Sequence, residues 1–302
     1  MPARLELPDG YTARHFTLSD APAVVDLMAA AEKHDVGEVM IELADIVSDW
    51  STSTYSFEDS VGVYAGTTLV GYTERTGPTR GDGQVHPDHR GKGLGTALSA
   101  WLVQRAAEHG DTSIGIPFPE GSPGDRLQEA RGWPVRWHSW VLELPAGARI
   151  TPRPLPAGYA VRAADASEYE AAWHVTEDAF LEWADRVKQP FEDWSLDVQF
   201  REGFEPWMLR VVLDPAGDVV GVAHIVLADE GREGYVSRLG VRIDRRNRGL
   251  AQALLADAFT ASREHGAVKS SLSTDSRTGA LSLYEKVGMV VTSTWINRGI
   301  TL

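Results

Sequence analysis

The segment VHPDHRGKGLGTAL, residues 85–98, combines glycines and basic side chains immediately before a helical pattern. Closely spaced glycines let the backbone approach a ligand, and the free N–H groups in the first turn of a helix can donate to an anion. Arg90 and Lys92 add positive charge at the same place. The segment therefore predicts a phosphate-binding loop.

A second segment, VRIDRRNRGLAQAL at residues 241–254, repeats this pattern. The shared positions are Val85, Arg90, Gly93 and Gly95 in the first copy, and Val241, Arg246, Gly249 and Ala251 in the second. Neither copy reads as a P-loop, because Lys92 is followed by Gly93 rather than by Ser or Thr, and the second copy has no such lysine. The glycines also miss the spacing of a dinucleotide fingerprint by one position.

Other matched segments lie in the same order along the chain. LPDGYTAR at 7–14 recurs as LPAGYAVR at 155–162, and EHG at 108–110 recurs at 264–266. Several matches in order indicate a duplicated domain, and 302 residues suit two domains of ordinary size. A linker rich in Pro and Gly at 144–158 joins the copies. We expect domains at 1–152 and 153–302.

The elements that position these loops alternate between strands and helices. In each copy a strand leads into the glycine segment, and a helix with apolar residues on one face follows it, at Leu94, Leu98, Trp101 and Leu102 or at Leu250, Leu254, Leu255 and Ala258. Earlier strands are expected at 61–65 and 68–73, and at 208–213 and 219–227. The pattern predicts a mixed α/β fold in two copies.

Composition limits the classes of function. The formal net charge of -14, with 43 acidic residues against 29 Lys and Arg, argues against a nucleic-acid binder. No apolar run is long enough to span a membrane, and the chain contains no cysteine. The nine histidines show no metal-ligand spacing. We expect a cytoplasmic protein without metal, acting as a monomer or homodimer.

The paired R-x-x-G-x-(G/A) loops resemble the signature of the GCN5-related N-acetyltransferase (GNAT) family. ALSLYEKVGM at 280–289 is similar to a second family motif, A-x-x-L-Y followed by glycine and an aromatic, with Met289 in the aromatic position. The resemblance covers most of both halves. It implies two tandem domains, each a mixed, mostly antiparallel sheet flanked by helices, as in actinobacterial tandem acetyltransferases similar to mycothiol synthase.

The resemblance also implies acetyl-coenzyme A (acetyl-CoA) as cofactor, with loop amides on its pyrophosphate. The binding positions carried over are Val85, Arg90, Gly91, Lys92, Gly93, Leu94, Gly95 and Thr96, and Leu239, Val241, Arg246, Asn247, Arg248, Gly249, Leu250, Ala251 and Gln252. The backbone at 239–241 would polarise the thioester carbonyl, and Tyr284 would protonate the departing sulfur. A tyrosine hydroxyl is protonated at neutral pH and can donate.

The base that deprotonates the amine is less visible. Glu233 matches a position where the family often carries a glutamate, and His224 and Asp275 are the other candidates. Gln128 of the first half aligns with Tyr284, and glutamine cannot act as a general acid, so we expect the second half to catalyse. The first half would bind coenzyme A without catalysis, use another acid, or complete the acceptor pocket.

The favoured function is acetyl transfer to a primary amine, with a small molecule as the acceptor. An aromatic and acidic segment at 179–194 suits a lid over a cationic amine, although aromatic packing explains it equally well. The alternatives are a non-catalytic acyl-CoA-binding or sensing protein and a protein N-acetyltransferase.

Overall fold

The computed structural model describes residues 5–151, 153–184 and 186–302, so the expected boundary at 152 falls on a residue outside the described part. The chain folds into two compact units. The first comprises the residues up to His138 together with Ser293–Leu302, and the second comprises Ser139–Thr292. No described helix is both long enough and apolar enough to cross a membrane.

The first unit is a mixed sheet flanked by helices. Its elements are β1 (Tyr11–Arg14), α1 (Ala21–Asp35), α2 (Leu43–Trp50), β2 (Ser60–Ala65), β3 (Thr68–Gly77), β4 (Arg80–Val85), α3 (Leu94–Glu108), β5 (Ser113–Pro119) and α4 (Pro123–Ala130). The strand order is β1-β2-β3-β4-β5, followed by the last strand of the chain, β12 (Val290–Thr301). Only the β4–β5 pair is parallel among these.

The second unit repeats this arrangement. Its elements are β7 (Ala160–Ala163), α5 (Tyr169–Leu181), α6 (Phe191–Asp197), β8 (Leu209–Leu213), β9 (Val219–Ala228), β10 (Glu233–Val241), α7 (Leu250–Glu264), β11 (Lys269–Asp275) and α8 (Leu281–Lys286). The strand order is β7-β8-β9-β10-β11, and β6 (Val135–Glu143) follows β11. The β10–β11 pair is parallel and its neighbours are antiparallel. The expected fold class is confirmed.

The helix after each glycine loop is held by its apolar face. Leu94, Leu98 and Leu102 of α3 are buried against strand residues of the first unit. Leu250 and Leu254 of α7 occupy the same place in the core of the second unit. Burying a leucine side chain stabilises the folded state by about 1.5–3 kcal/mol. Because Leu94 and Leu250 are the first residues of their helices, their burial holds the start of each helix next to the loop.

The final strand of each sequence copy lies in the other unit. Strand β5 pairs with residues Trp295–Thr301 of β12, and β11 pairs with Ser139–Glu143 of β6. The two structural units therefore differ from a simple cut at 152/153, because each sheet takes its last strand from the other copy of the sequence. Within the first unit, Arg298 of β12 donates to Asp125 of α4 at 2.5 Å.

Candidate active site

Both glycine loops have the same backbone conformation. Gly91 and Gly93 have φ of 74° and 86°, and Asn247 and Gly249 have φ of 62° and 82°. Glycine enters this left-handed region without steric cost, and asparagine is one of the few other residues that tolerate it. Asn247 thus takes the place of Gly91, and each loop delivers its chain to a helix that begins at Leu94 or Leu250.

The arginine that the two copies share, Arg90 in one and Arg246 in the other, forms its contacts within its own unit. Nε of Arg90 donates to the Val85 carbonyl at 3.0 Å, and Nε of Arg246 donates to the Val241 carbonyl at the same distance. Each guanidinium also forms a two-pronged ion pair, with Asp35 at 2.7 and 2.9 Å or with Glu182 at 2.7 and 2.6 Å. These arginines brace the loops, which leaves the anion to the backbone N–H groups.

The loop of the first unit opens onto a cavity of about 380 Å³. Nothing lies within 4 Å of the position that a Cβ would occupy at Gly91 or Gly93. The Lys92 side chain is exposed, and its Nζ donates to the Asp88 carbonyl at 3.1 Å. Of the loop residues expected from the sequence, the cavity lining includes Val85, Arg90, Gly91, Gly93, Leu94, Gly95 and Thr96.

The loop of the second unit is covered by a neighbouring segment of the same unit. A Cβ at Gly249 would lie 2.8 Å from Cδ of Arg153, and Nε2 of Gln252 donates to the Thr151 carbonyl at 3.0 Å. Arg248 donates to the Tyr159 hydroxyl at 3.4 Å, while Ala251 packs partly buried against the core. A phosphate at this loop would therefore meet Arg153 as well as the backbone.

The strand before each loop separates from its parallel neighbour. Strands β10 and β11 pair only from Glu233–Lys269 to Val236–Leu272, whereas β10 stays paired with β9 as far as Val241. Leu239 and Val241 therefore lie in the part of β10 that pairs with no described residue of β11. In the first unit the β4–β5 register is limited to Arg80 and Gly115. Each gap leaves backbone groups available beside a loop.

Tyr284 lies on α8 in the core of the second unit, in the same cluster as Leu250 and Val241. It is 7% exposed, and burial followed by the nearby Tyr235 raises its pKa to about 12. Within the described part of the chain, no residue forms a hydrogen bond with its hydroxyl. The structure thus places a protonated phenol on α8, packed in one cluster with Leu250, the first residue of the helix that follows the loop.

Glu233 is not brought to the loop. It begins β10, and Val241 ends that strand, about 25 Å away at about 3.3 Å per residue. Its carboxylate accepts from Ser271 and forms an ion pair with Lys269 at 3.3 Å. The sequence places Glu233 in the strand that leads into the loop, as predicted, but β10 is nine residues long. Glu233 therefore lies at the end of β10 that is farthest from the loop.

The two other candidate bases lie nearer the loop. His224 is opposite Arg238, three residues before Val241 on β10. Its Nδ1 is 2.7 Å from Oγ of Ser237, and burial, with Arg238 and Arg201, lowers its pKa well below the usual range. Asp275 ends β11 and is paired with Arg277 at 2.6 Å.

The expected lid segment divides into two parts, with Asp185 outside the described residues. Phe191 and Trp194 pack into the core of the second unit, as structural aromatic residues do. Trp183 instead carries the Arg277 guanidinium over its ring at 4.9 Å. Only the part before Asp185, residues 179–184, is therefore free of the core and able to contact a ligand.

In the first unit a glutamine takes the tyrosine's place. Gln128 lines the cavity, and its Nε2 donates to Oγ of Ser99 at 2.5 Å. Ser99 in turn donates to the Gly95 carbonyl at 2.7 Å. This neutral pair has no acidic proton, in agreement with the sequence comparison.

An acidic cluster in the first unit was missed from the sequence. Glu74 of β3 and Asp82 of β4 are direct cross-strand partners. Together with Glu32 of α1, they lie close enough to Tyr72 to raise the pKa of its hydroxyl. The signal was present: LVGYTERTG and RGDGQV each carry an acid inside a strand that is otherwise suited to burial. A carboxylate at such a position needs a partner.

The chemistry of the loop residues suits a cofactor that carries a pyrophosphate, such as acetyl-CoA. In the first unit the open left-handed turns at the helix start lie beside a cavity, which matches a pyrophosphate with an attached chain. The second loop has the same turns, with Arg153 beside Gly249. In the described part of the chain, no three His, Asp or Glu side chains come together as metal ligands.

The chain matches the Acetyltransferase (GNAT) family over residues 38–117 and 168–289. It is 32% identical to the mycothiol acetyltransferase of Salinispora tropica over 252 residues, covering 76% of this chain and 77% of that relative. It is 28% identical to the mycothiol acetyltransferase of Thermobispora bispora over 244 residues, covering 75% and 78%.

Solved structures show the same architecture. A GCN5-related N-acetyltransferase from Sphaerobacter thermophilus superimposes with a TM-score of 0.75 at 26% identity, covering 98% of this chain and 97% of that one. A tandem GNAT protein from the clavulanic acid biosynthesis pathway gives 0.70 at 16% identity over 96% and 98%, a likeness of fold alone. With two regions matched, one in each unit, this chain belongs to the GNAT family and is a tandem acetyltransferase.

Proposed function

We propose that the protein transfers the acetyl group of acetyl-CoA to the primary amine of a small molecule, and that the second unit performs the transfer. The observation that carries this proposal is the position of Tyr284, whose side chain is buried in one cluster with Leu250 and Val241 and whose hydroxyl forms no hydrogen bond with a described residue. The match to the GNAT family and the acetyltransferase relatives named above support acetyl transfer. The nature of the acceptor is our own inference.

The residues that would hold acetyl-CoA are the backbone of Arg246–Gln252 and the unpaired stretch of β10 at Leu239 and Val241. When bound, acetyl-CoA supplies an activated acetyl thioester. The N–H groups of the loop and the start of α7 offer donors to its pyrophosphate, with Arg153 adding positive charge. Tyr284 holds its proton at neutral pH and can release it to a thiolate.

For the proton that the amine loses, we propose His224 in preference to Glu233. His224 lies about 10 Å along the sheet from the level of Val241, against about 25 Å for Glu233. Its lowered pKa keeps the imidazole neutral, and a neutral imidazole nitrogen can accept a proton. Glu233 would act only through a chain of waters.

A small-molecule acceptor is favoured over a protein by the relatives. The relatives named above are mycothiol acetyltransferases, and this chain covers about three quarters of each. Because these relatives are named for a small molecule, mycothiol, the first assays should use amines of small-molecule size, beside a panel of unrelated primary amines.

Tyr284→Phe tests the proposal. We expect kcat to fall about a hundredfold or more, because the variant removes the proton donor, while coenzyme A affinity measured by calorimetry stays unchanged. Tyr169→Phe is the matched control, since Tyr169 is also 7% exposed in the same unit but lies in another part of its core.

An unchanged kcat in Tyr284→Phe would remove this tyrosine from the mechanism. Thiol release that stays at background with every amine, although coenzyme A binds, would instead identify an acyl-CoA-binding protein. Comparing His224→Gln with Glu233→Gln separates the two bases, because only the true base changes the acidic limb of the pH profile.

A further inference from the structure

Strand β10 carries a β-bulge at Ser237. Val236 lies opposite Ile225, and the next paired residue of β10, Arg238, lies opposite His224. Ser237 is therefore an extra residue, so that two residues of β10 oppose one of β9. Val236 is also the last described residue of β10 that pairs with β11. The bulge thus lies where β10 leaves its parallel neighbour, directly beside His224.

His224 is a buried imidazole with one nitrogen engaged. Its side chain is 2% exposed, and its Nδ1 lies 2.7 Å from Oγ of Ser237. Within the described part of the chain, no residue forms a hydrogen bond with Nε2. Because buried polar atoms are rarely left without a partner, Nε2 is the atom of this ring that a ligand would contact.

The Ser237 hydroxyl decides which ring nitrogen carries the proton. A serine has one proton to donate, and Oγ of Ser237 donates to the His224 carbonyl at 3.4 Å. Oγ then offers a lone pair to the ring, and the 2.7 Å contact is a hydrogen bond donated by Nδ1–H. This arrangement forms two hydrogen bonds, whereas donation from the hydroxyl to Nδ1 forms one. A neutral imidazole protonated at Nδ1 keeps its lone pair at Nε2.

The surroundings of His224 keep its ring neutral. Burial, followed by Arg238 and Arg201, lowers the pKa of His224 well below its usual range. Arg238 is held beside the ring by Asp197 of α6, which accepts from its guanidinium at 2.9 Å. A second proton on the imidazole would add a positive charge next to two guanidinium groups. The ring therefore carries one proton at neutral pH, and the position of that proton decides what Nε2 can do.

We propose that Ser237 is a positioning residue that holds His224 in its Nδ1–H tautomer, so that Nε2 accepts the proton lost by the acceptor amine. The last step rests on the proposed function. As the amine nitrogen forms its bond to the acetyl carbon, one N–H bond breaks and leaves its electron pair on that nitrogen. The released proton bonds to the Nε2 lone pair of His224, and the imidazolium then returns it to solvent. Ser237 touches no reacting atom and acts through His224.

The tautomer of His224 can be measured without any turnover. Long-range proton–nitrogen correlation spectra of the isotope-labelled full chain distinguish protonated from unprotonated ring nitrogens, and His224→Gln identifies the signals of this residue. We expect a proton on Nδ1 and a lone pair on Nε2 near neutral pH. Ser237→Ala should lose this preference, whereas Ser237→Thr, which keeps an Oγ atom, should retain it.

Turnover supplies a second measurement, with an amine that the enzyme acetylates. We expect Ser237→Ala to lower kcat about tenfold with little change in KM for acetyl-CoA, because the base is still present but is no longer oriented. Ser237→Thr should restore most of the loss. In a His224→Gln background, Ser237→Ala should have no further effect, since the serine acts only through the imidazole.

Ser262→Ala is the matched control. It removes another buried serine hydroxyl of the same unit, which donates to the Ala258 carbonyl within α7 at 2.8 Å. A merely structural role for Ser237 predicts that the two alanine variants behave alike. We expect Ser262→Ala to leave both the His224 spectrum and kcat unchanged.

A proton on Nε2 of His224 in the parent, or an unaltered tautomer in Ser237→Ala, would overturn the proposal. So would a loss of kcat in Ser237→Ala that persists in full in the His224→Gln background. If the spectra change as expected but His224→Gln keeps the parent kcat, the proton transfer is overturned while the effect of Ser237 on the tautomer is confirmed. That result separates failure of the base in the proposed function from failure of the positioning role.

Discussion

Glu74 shows how a single buried side chain can lower the stability of the fold. It lies in a strand with 5% exposure and holds two hydrogen bonds, from Tyr55 and Trp50, but no ion pair in the described structure. Burial raises its pKa from the ordinary 4.5 to about 8. The folded protein therefore binds a proton at neutral pH that the unfolded chain has lost.

This difference gives a pH dependence with a definite sign. Between about pH 4.5 and 8 the folded state holds more protons than the unfolded state at this residue, so the contribution of Glu74 to stability falls as the pH rises. Below pH 4.5 the effect is absent. We expect Glu74→Gln to raise Tm relative to the parent at pH 8 and to leave it nearly unchanged at pH 4.

The measurement is thermal unfolding of both proteins across this pH range. Glu58→Gln, at an exposed position, should follow the parent throughout. A Glu74→Gln variant that is less stable than the parent at pH 8 would contradict the prediction. The same substitution is thus expected to improve stability wherever the Glu74 carboxyl would otherwise have to ionise in the interior.

At the residue scale, the motifs predicted where the two loops and Tyr284 lie in the fold, because a helix start and a short helix allow little freedom. Their roles in binding and catalysis stay predictions. The distance of Glu233 from the loop was not predictable, since it depends on where β10 begins. Glu74 and Asp82 are eight residues apart in sequence, and only the register of β3 with β4 makes them neighbours.

At the scale of elements, β12 is secured to the first unit by a buried ion pair. Arg298 donates to Asp125 at 2.5 Å, to Glu129 at 3.1 Å and to the Trp133 carbonyl at 3.1 Å. The side chains of Arg298 and Asp125 are 9% and 7% exposed. Removing one partner of such a pair leaves an uncompensated charge in the interior.

Arg298→Met should therefore lower the free energy of unfolding by about 3 kcal/mol or more. The double variant Arg298→Met with Asp125→Asn should recover part of that loss, because the buried charge is removed as well. Urea denaturation measures both. Arg263→Met is a control on α7, where no described residue forms an ion pair with the guanidinium.

The positions of the helices and strands were largely predictable from the sequence. The exchange of the last strand, β6 or β12, between the two copies was not. Period and turn signals indicated the strands around 61–65, 68–73 and 219–227 to within a few residues. Whether β5 would take β6 or β12 as its neighbour is decided by pairing across most of the chain, on which local patterns carry no information.

At the scale of the whole molecule, the exchanged strands make each half of the sequence incomplete. Fragment 1–152 lacks the strand that pairs with β5, and fragment 153–302 lacks the strand that pairs with β11. We expect each fragment alone to be less stable than the full chain, and the two to copurify when produced together. Size-exclusion chromatography and thermal unfolding measure this. Monomeric fragments as stable as the full chain would show that each half can close its own sheet.

The exchange also has a consequence for how the two copies can diverge. A tandem chain connected in this way is equivalent to a strand-swapped homodimer whose subunits have been fused. If either copy failed to fold, the other would lose the strand that pairs with its β5 or β11. Selection for the chemistry of one copy therefore also preserves the fold of the other. The first copy, which has Gln128 at the position aligned with Tyr284, accordingly keeps a cavity of about 380 Å³ beside its loop.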